Sequence, residues 1–383
     1  LVGLTGGVGV GAVLKASVTP LASIFGSGFL IIVPVLERTL GAAAVLGAIA
    51  VTALAWLVGT AIRHNVVAIE PRVAAGTLPG EVKRLDRLSD LVIVVAYVIS
   101  VALYLRIMTE YVGSYALGED VTAERAVASA AMLLIVGVGV TRGFGGLDMM
   151  DRVAVGTVLF LTAVLGGALF ITDGLDLLGP GIELPPVPDR GLSEILLVLG
   201  GIVITVQGFE TIRYLGEEYD ASTRIWASRF AQLVATFIYV GFVVVATPLM
   251  GLGTEAGVDH DLLDITERVA PLLALPLVLS AILSQLSAAT ADTVAAAGNL
   301  HSLYRVRMRR RRPYLLSGAA AILMIWLIPT FTIIAIASRA FAAYYCLQCA
   351  IAVLTSRGVL RRLFYGFLAI ILAAITLLAQ PVG

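Results

Sequence analysis

Gln207, Gly208 and Glu210 stand together inside an otherwise apolar stretch, Ile202-Val203-Ile204-Thr205-Val206-Gln207-Gly208-Phe209-Glu210-Thr211-Ile212-Arg213. The chemistry such a group offers is binding, with no bond making. Glycine lets a helix open, and the opened backbone presents amide N–H groups to an anion and carbonyls to a cation. A charge at the centre of a membrane helix costs about 2.5–3.5 kcal/mol on insertion scales, so Glu210 is expected to face protein rather than lipid. Near the N-terminus, Pro20 and the run Ile24-Phe25-Gly26-Ser27-Gly28-Phe29 repeat the theme. Two glycines there weaken a helix by about 2 kcal/mol relative to alanine. Opened backbone is tolerated at membrane depth only where it lines protein or a watery cavity. The alternative for Gly26-Ser27-Gly28 is a small-residue seam at which two helices pack closely.

Further polar groups lie in apolar surroundings. Tyr97, Tyr104 and Tyr111 recur every seven residues with Ser100 near the same face, and seven residues fall within about 20° of two full helical turns, so they form one stripe. Arg106 and Glu110 are four apart and can pair. Asp292 and Arg339 also fall within apolar runs. Such charges must face the bundle or each other, and Arg339 is expected to pair with Glu210 or Asp292 as part of a cytoplasmic gate. Ser287 and Thr290 share one helical face. His64, His260 and His301 are scattered and form no metal motif, so no enzyme is expected, and Cys346 and Cys349 read as small buried side chains.

These groups need a membrane to hold them. Of the 383 residues 59% are hydrophobic and 14% charged, against about 25% charged in an ordinary globular protein, and the mean hydropathy is +0.98. A helix crossing the hydrocarbon core needs about 20 mostly apolar residues. Eleven stretches approach or meet that length: 18–36, 42–62, 91–111, 127–140, 153–171, 195–211, 230–250, 270–300, 314–328, 331–354 and 363–378. Pro329 predicts a tight turn between the ninth and tenth. The short apolar start at Leu1 has no basic region or cleavage site of a signal peptide.

The basic residues orient the spans. With the N-terminus cytoplasmic, twenty of the 26 Lys and Arg fall on inside segments, four on outside segments, and Arg106 and Arg339 within spans. The longer outside loops carry acids instead, among them Glu119, Asp120, Glu124, Asp259 and Asp264. The expected protein is a multi-pass protein of the cell membrane, N-terminus inside and C-terminus outside. The arginine run at 305–312 sits at the mouth of two spans, where it fixes topology and meets anionic lipid; no nucleic-acid partner is expected. Residues 6–11 are glycine-rich but lack the strand and Gly-Lys-Ser/Thr ending of a phosphate loop.

Polar breaks in spans one and six, five spans apart, are the pattern of an inverted repeat, whose half-helix ends meet at the midplane. Here the residues resemble a family. Gly26-Ser27-Gly28-Phe29 resembles the first-helix glycine motif of the amino acid–polyamine–organocation superfamily. Gly208-Phe209-Glu210, followed by Glu217-Glu218 and Arg224, resembles its sixth-helix signature, and Ser284-Gln285-Leu286-Ser287-Ala288-Ala289-Thr290-Ala291-Asp292 is similar to its hydroxyl-rich eighth helix. The chain departs from the pattern at Asp220-Ala221-Ser222-Thr223, where common members place prolines, and in having eleven spans where most have twelve.

The resemblance implies an all-α integral membrane protein with a LeuT-like bundle of five plus five spans and discontinuous helices one and six. Residues 1–173 would form the first repeat, 174–356 the second, and 357–383 an additional span. It implies an ion-coupled transporter of a small amino acid or related organic ion, with no cofactor beyond Na+ or H+ as the coupling ion. Ser23, Ile24, Gly26, Ser27 and Gly28 of span one, Tyr97 and Tyr104 of span three, and Gln207, Gly208, Phe209 and Glu210 of span six would line the solute site. Carbonyls of Ala22 and Phe25 with the hydroxyls of Ser287 and Thr290 would form a sodium site, since a hard cation takes oxygen ligands. No lysine in span five takes that place; Glu210 or Asp292 could instead carry a proton. An inorganic-ion carrier of metal or potassium on the same fold is the second transporter expectation. A channel would need a repeated pore loop, which is not found, and a non-transporting sensor remains an alternative.

Overall fold

A computed structural model describes residues 8–113, 115, 120–142, 148–178, 184–216, 218–250, 263, 266–267, 271–303 and 311–379. Among them the chain is all-helical, without strands. The elements are α1 (Val10–Ala16), α2 (Val18–Leu40), α3 (Ala44–Ala68), α4 (Glu70–Ala74), α5 (Gly80–Val112), α6 (Val121–Arg142), α7 (Asp148–Leu178), α8 (Leu192–Gly201), α9 (Ala221–Met250), α10 (Ala274–Leu303), α11 (Arg311–Leu327), α12 (Thr330–Thr355) and α13 (Val359–Leu378). Two 3-10 segments, Val203–Val206 and Phe209–Leu215, follow α8. Eight segments are long and apolar enough to cross a membrane. The apolar stretches overlap helical elements, the sixth being interrupted at Gln207-Gly208, and Pro329 caps α12 just after α11 ends.

Helix α5 is the axis of the bundle. At 33 residues and 1.5 Å per residue it is about 50 Å long, longer than the ~30 Å hydrocarbon core. It packs against α10, α12, α6 and α11, and every residue from Ile99 to Tyr111 is buried. The tyrosine stripe therefore selects no face, because neighbours cover all sides at this level. The periphery shows the opposite pattern: Leu133 and Leu134 on α6, Phe237 on α9 and Leu360 on α13 are well exposed, as an apolar surface in lipid requires.

The first span departs from expectation. Helix α2 runs unbroken through Phe25-Gly26-Ser27-Gly28, so its glycines serve the packing seam. A Cβ on Gly26 would come 1.9 Å from the Ala288 Cβ of α10, and one on Gly28 would come 1.9 Å from the Thr205 carbonyl oxygen. The helical propensity lost at these positions is offset by backbone approach that no larger residue permits.

The sixth segment is broken as expected. Helix α8 stops at Gly201, a 3-10 turn follows, Gln207 and Gly208 lie outside any helix, and a second 3-10 segment begins at Phe209. Gly208 has φ 125°, where L side chains are strained. A Cβ there would also lie 2.7 Å from the Ile24 amide nitrogen and 2.8 Å from the Ser23 Cβ. Only glycine fits.

Candidate functional site

The break at Gly208 is held by Glu210. Its Oε2 accepts the Gly208 N–H at 2.9 Å and the Tyr345 hydroxyl at 2.8 Å, while its Oε1 accepts the Tyr97 hydroxyl at 3.3 Å. The Gly208 carbonyl accepts the Thr211 hydroxyl at 2.7 Å. Backbone groups released from the helix are thus taken up by neighbouring side chains, as buried polar groups require. Phe209 stacks on Tyr345 with centroids 5.3 Å apart, fixing that phenol against the carboxylate.

A second carboxylate lies nearby. Asp292 of α10 accepts the Ser23 hydroxyl of α2 at 2.9 Å and the Ser100 hydroxyl of α5 at 2.5 Å. Gln207 joins the two halves: its Nε2 donates to Ser23 Oγ at 3.3 Å and, in a short bond, to the Tyr104 hydroxyl. Ser23, Tyr97, Ser100, Tyr104, Gln207, Glu210 and Asp292 all have no accessible surface. Neither carboxylate has a basic partner among the described residues; the ion pairs there join Arg106 to Glu110 and Glu124, Arg190 to Glu194, Arg213 to Asp86 and Asp90, and Arg224 to Glu70. Two buried carboxylates served only by neutral donors favour a positive partner, because an isolated buried charge is costly.

Arg213 stands three residues beyond Glu210 on the same 3-10 segment, where a period of about three residues puts both on one face. Its guanidinium donates to Asp86 at 2.9 Å, approaches Asp90 at 3.9 Å, and lies 3.5 Å from the Tyr344 hydroxyl. Asp86 and Asp90 also line a cavity of about 510 Å3, with Val73, Gly76, Lys83 and Leu303. The carboxylates of this cavity thus hold the turn that carries Glu210. Arg224 fastens the far end of the turn, donating to the Ile212 carbonyl at 3.1 Å while paired with Glu70 at 2.5 Å.

The structure gathers Ser23, Tyr97, Tyr104, Gln207, Gly208 and Glu210 with Asp292 into one network. Phe209 flanks it. Ile24 and Gly26 contribute carbonyls, which accept Tyr239 OH at 2.5 Å and Gln285 Nε2 at 2.7 Å. Gly28 packs on Thr205, and the Ser27 side chain and Glu217 lie outside the described residues, as does most of the 305–312 run. Ala22, Phe25, Ser287 and Thr290 are all buried, and the Thr290 hydroxyl has no hydrogen-bond partner among the described residues. Arg339 does not pair with Glu210 or Asp292. It donates to the Ala379 carbonyl at 3.0 and 2.5 Å, capping the end of α13, because its position on α12 places it beside that helix end.

Tyr345, Tyr239, Gln285, Asp86 and Asp90 were not among the expected site residues. Gln285 beside Ser284 and the pair Tyr344-Tyr345 inside an apolar span were the available signals; Asp86 and Asp90 sit in a charged flank that carries none. Among the described residues no three His, Cys, Asp or Glu lie together as metal ligands.

The family model for APC superfamily transporters matches residues 9–379. The chain belongs to the APC superfamily of transporters. It is also 36% identical, over 350 residues covering 89% of this chain and 83% of the other, to an uncharacterized protein of Aquifex aeolicus (strain VF5). With its apolar helices, this APC superfamily member is a multi-pass membrane protein, and the network around Glu210 is a buried polar cluster within it.

Proposed function

We propose that the chain is an ion-coupled secondary active transporter of a small amino acid or related organic ion, working by alternating access within a five-plus-five LeuT-like arrangement. The N-terminus would be cytoplasmic and the C-terminus outside, in the cell membrane. The observation that carries the reading is the glycine-broken sixth segment with Glu210 buried beside it and no basic partner among the described residues. An unbroken α2 offers no row of free amides to an anion, so the solute's positive group is the part that Glu210 meets. Asp292 is the natural seat of the coupling charge. Thr290, whose buried hydroxyl is unpartnered among the described residues, supports a sodium site with Ser287 and the carbonyls of Ala22 and Phe25.

In this scheme a solute enters only when Gln207 leaves Ser23 and Tyr104, because none of these groups has accessible surface. The cation replaces the Tyr97 and Tyr345 hydroxyls at Glu210, and the 3-10 turn shifts as they let go. Arg213, on the same turn, then loosens from Asp86 and Asp90 and opens the route to the cavity beside them.

An inorganic-ion transporter for metal or potassium is the second reading, favoured by the oxygen donors of the buried carboxylates Glu210 and Asp292. A thermal-shift screen of the purified protein against amino acids, amines, nucleobases and ions, with and without sodium, tests both. A ligand of the folded state raises apparent stability by mass action. A sodium-dependent or pH-dependent shift with an organic cation supports the first reading; a shift with potassium or a metal ion alone favours the second.

A further inference from the structure

We propose that the seam between α3 and α9 binds the headgroup of an anionic phospholipid between Arg63 and Arg229, an inference independent of the transported solute. Arg63 is 6% exposed yet meets only neutral acceptors. Its Nη1 donates to Gln232 at 2.5 Å and Ser228 at 3.3 Å, and its Nη2 to the Trp56 carbonyl at 3.3 Å. No carboxylate pairs with Arg63 or Arg229 among the described residues. The charge that acts on Arg63 from across the seam is the like charge of Arg229. Two guanidiniums without an anion are unfavourable at the border of a low-dielectric phase.

The seam has the form of a built site. Gly59 leaves the space in which the guanidinium lies, since a Cβ there would come 2.5 Å from Gln232 Oε1 and 2.8 Å from Arg63 Nη1. Arg63 lies over the Trp56 ring at 5.0 Å and Arg229 over the Trp226 ring at 4.9 Å, and Trp226 is half exposed. Arg63 is one residue past the second apolar stretch and Arg229 one residue before the seventh, so both stand at the same membrane border, on the arginine-rich side. Tryptophan favours that depth, guanidinium matches phosphate oxygens, and basic pockets between helices on the cytoplasmic side take anionic headgroups.

The test uses the full chain in detergent, with unfolding temperature and native mass spectrometry read after adding phosphatidylglycerol, phosphatidylcholine or inorganic phosphate. Phosphatidylglycerol is expected to raise the unfolding temperature by several degrees and to persist as one or two bound lipids, while the other two do neither. R229Q removes the half-buried member without emptying the core and is expected to lose at least half of the shift; R63Q is expected to lose it entirely if it folds. An equal shift with phosphatidylcholine overturns the proposal, as does a full shift in R229Q, which assigns the lipid to other arginines. A shift with inorganic phosphate alone overturns the lipid assignment.

Discussion

Glu210 and Arg213 stand one 3-10 turn apart on the same segment, the carboxylate turned to Tyr97 and Tyr345 and the guanidinium bonded to Asp86 at 2.9 Å. A shift at one end of this turn is therefore mechanically tied to the other. The cavity lined by Asp86 and Asp90 lies at the Arg213 end.

Breaking that link is expected to uncouple solute binding from release. Asp86→Asn leaves Arg213 with weaker partners, Asp90 at 3.9 Å and the Tyr344 hydroxyl at 3.5 Å, and losing a charge-assisted bond of this kind costs about 1–3 kcal/mol. Unfolding temperature is predicted to fall and solute efflux to become leaky. The exchange D86R/R213D, measured in a double-mutant cycle, should recover part of the stability; strict additivity of the two single changes would show that the pair is not coupled.

Gly208→Leu is predicted to abolish uptake while the protein still inserts in the membrane. A side chain at φ 125° is strained by about 1–3 kcal/mol, and its Cβ would press on Ser23 and Ile24. Gly26→Leu should fail for a different reason, by driving α2 away from Ala288, and so should lower stability more than it alters affinity. Normal uptake by either variant, measured in proteoliposomes, would count against the closeness of these contacts.

The all-helical, membrane-spanning character was legible because apolar length reports it directly, and Pro329 marks the turn before α12. The sixth-segment break was legible too, since Gly208 between Gln207 and Glu210 makes continuous helix in lipid doubly unfavourable. Gly26-Ser27-Gly28 misled because small residues serve an opened backbone and a tight helix seam equally well, and only the position of Ala288 and Thr205 decides between them. Arg339 misled for a related reason: a charge inside an apolar run announces that it needs a partner, but not that a helix-terminal carbonyl, Ala379, will supply it at an exposed position. The Arg213–Asp86 pair was not legible, since it depends on how α5 lies beside the broken segment.

Asp292→Asn keeps the shape of the side chain and removes its charge. Uptake is expected to lose most of its dependence on sodium or pH, with solute affinity changed less. Ser100→Ala, which removes a 2.5 Å donor to that carboxyl, should shift the same dependence and cost about 1–3 kcal/mol of stability. Unaltered ion dependence in Asp292→Asn would remove Asp292 from the coupling path.

Asp220 gives a pH dependence at the start of α9. Its carboxylate accepts the Thr223 N–H at 2.8 Å and hydroxyl at 2.9 Å, and these bonds hold it below the usual carboxylate range. A depressed folded-state value means the stabilisation is present above the unfolded value of about 4 and is lost as pH falls through the folded one. Asp220→Ala should therefore unfold at a lower temperature at neutral pH, and the gap from the parent protein should shrink in strong acid. A gap that stays constant across that range would assign the effect to something other than the charged cap.

The most direct measurement is solute binding and uptake by Glu210→Gln in proteoliposomes, using whichever solute stabilises the parent protein. Gln keeps the size of the side chain and a carbonyl acceptor for Gly208, so insertion and folding should persist while binding and uptake fall by at least tenfold. Uptake with the parent affinity and rate would contradict a solute site at the broken sixth segment.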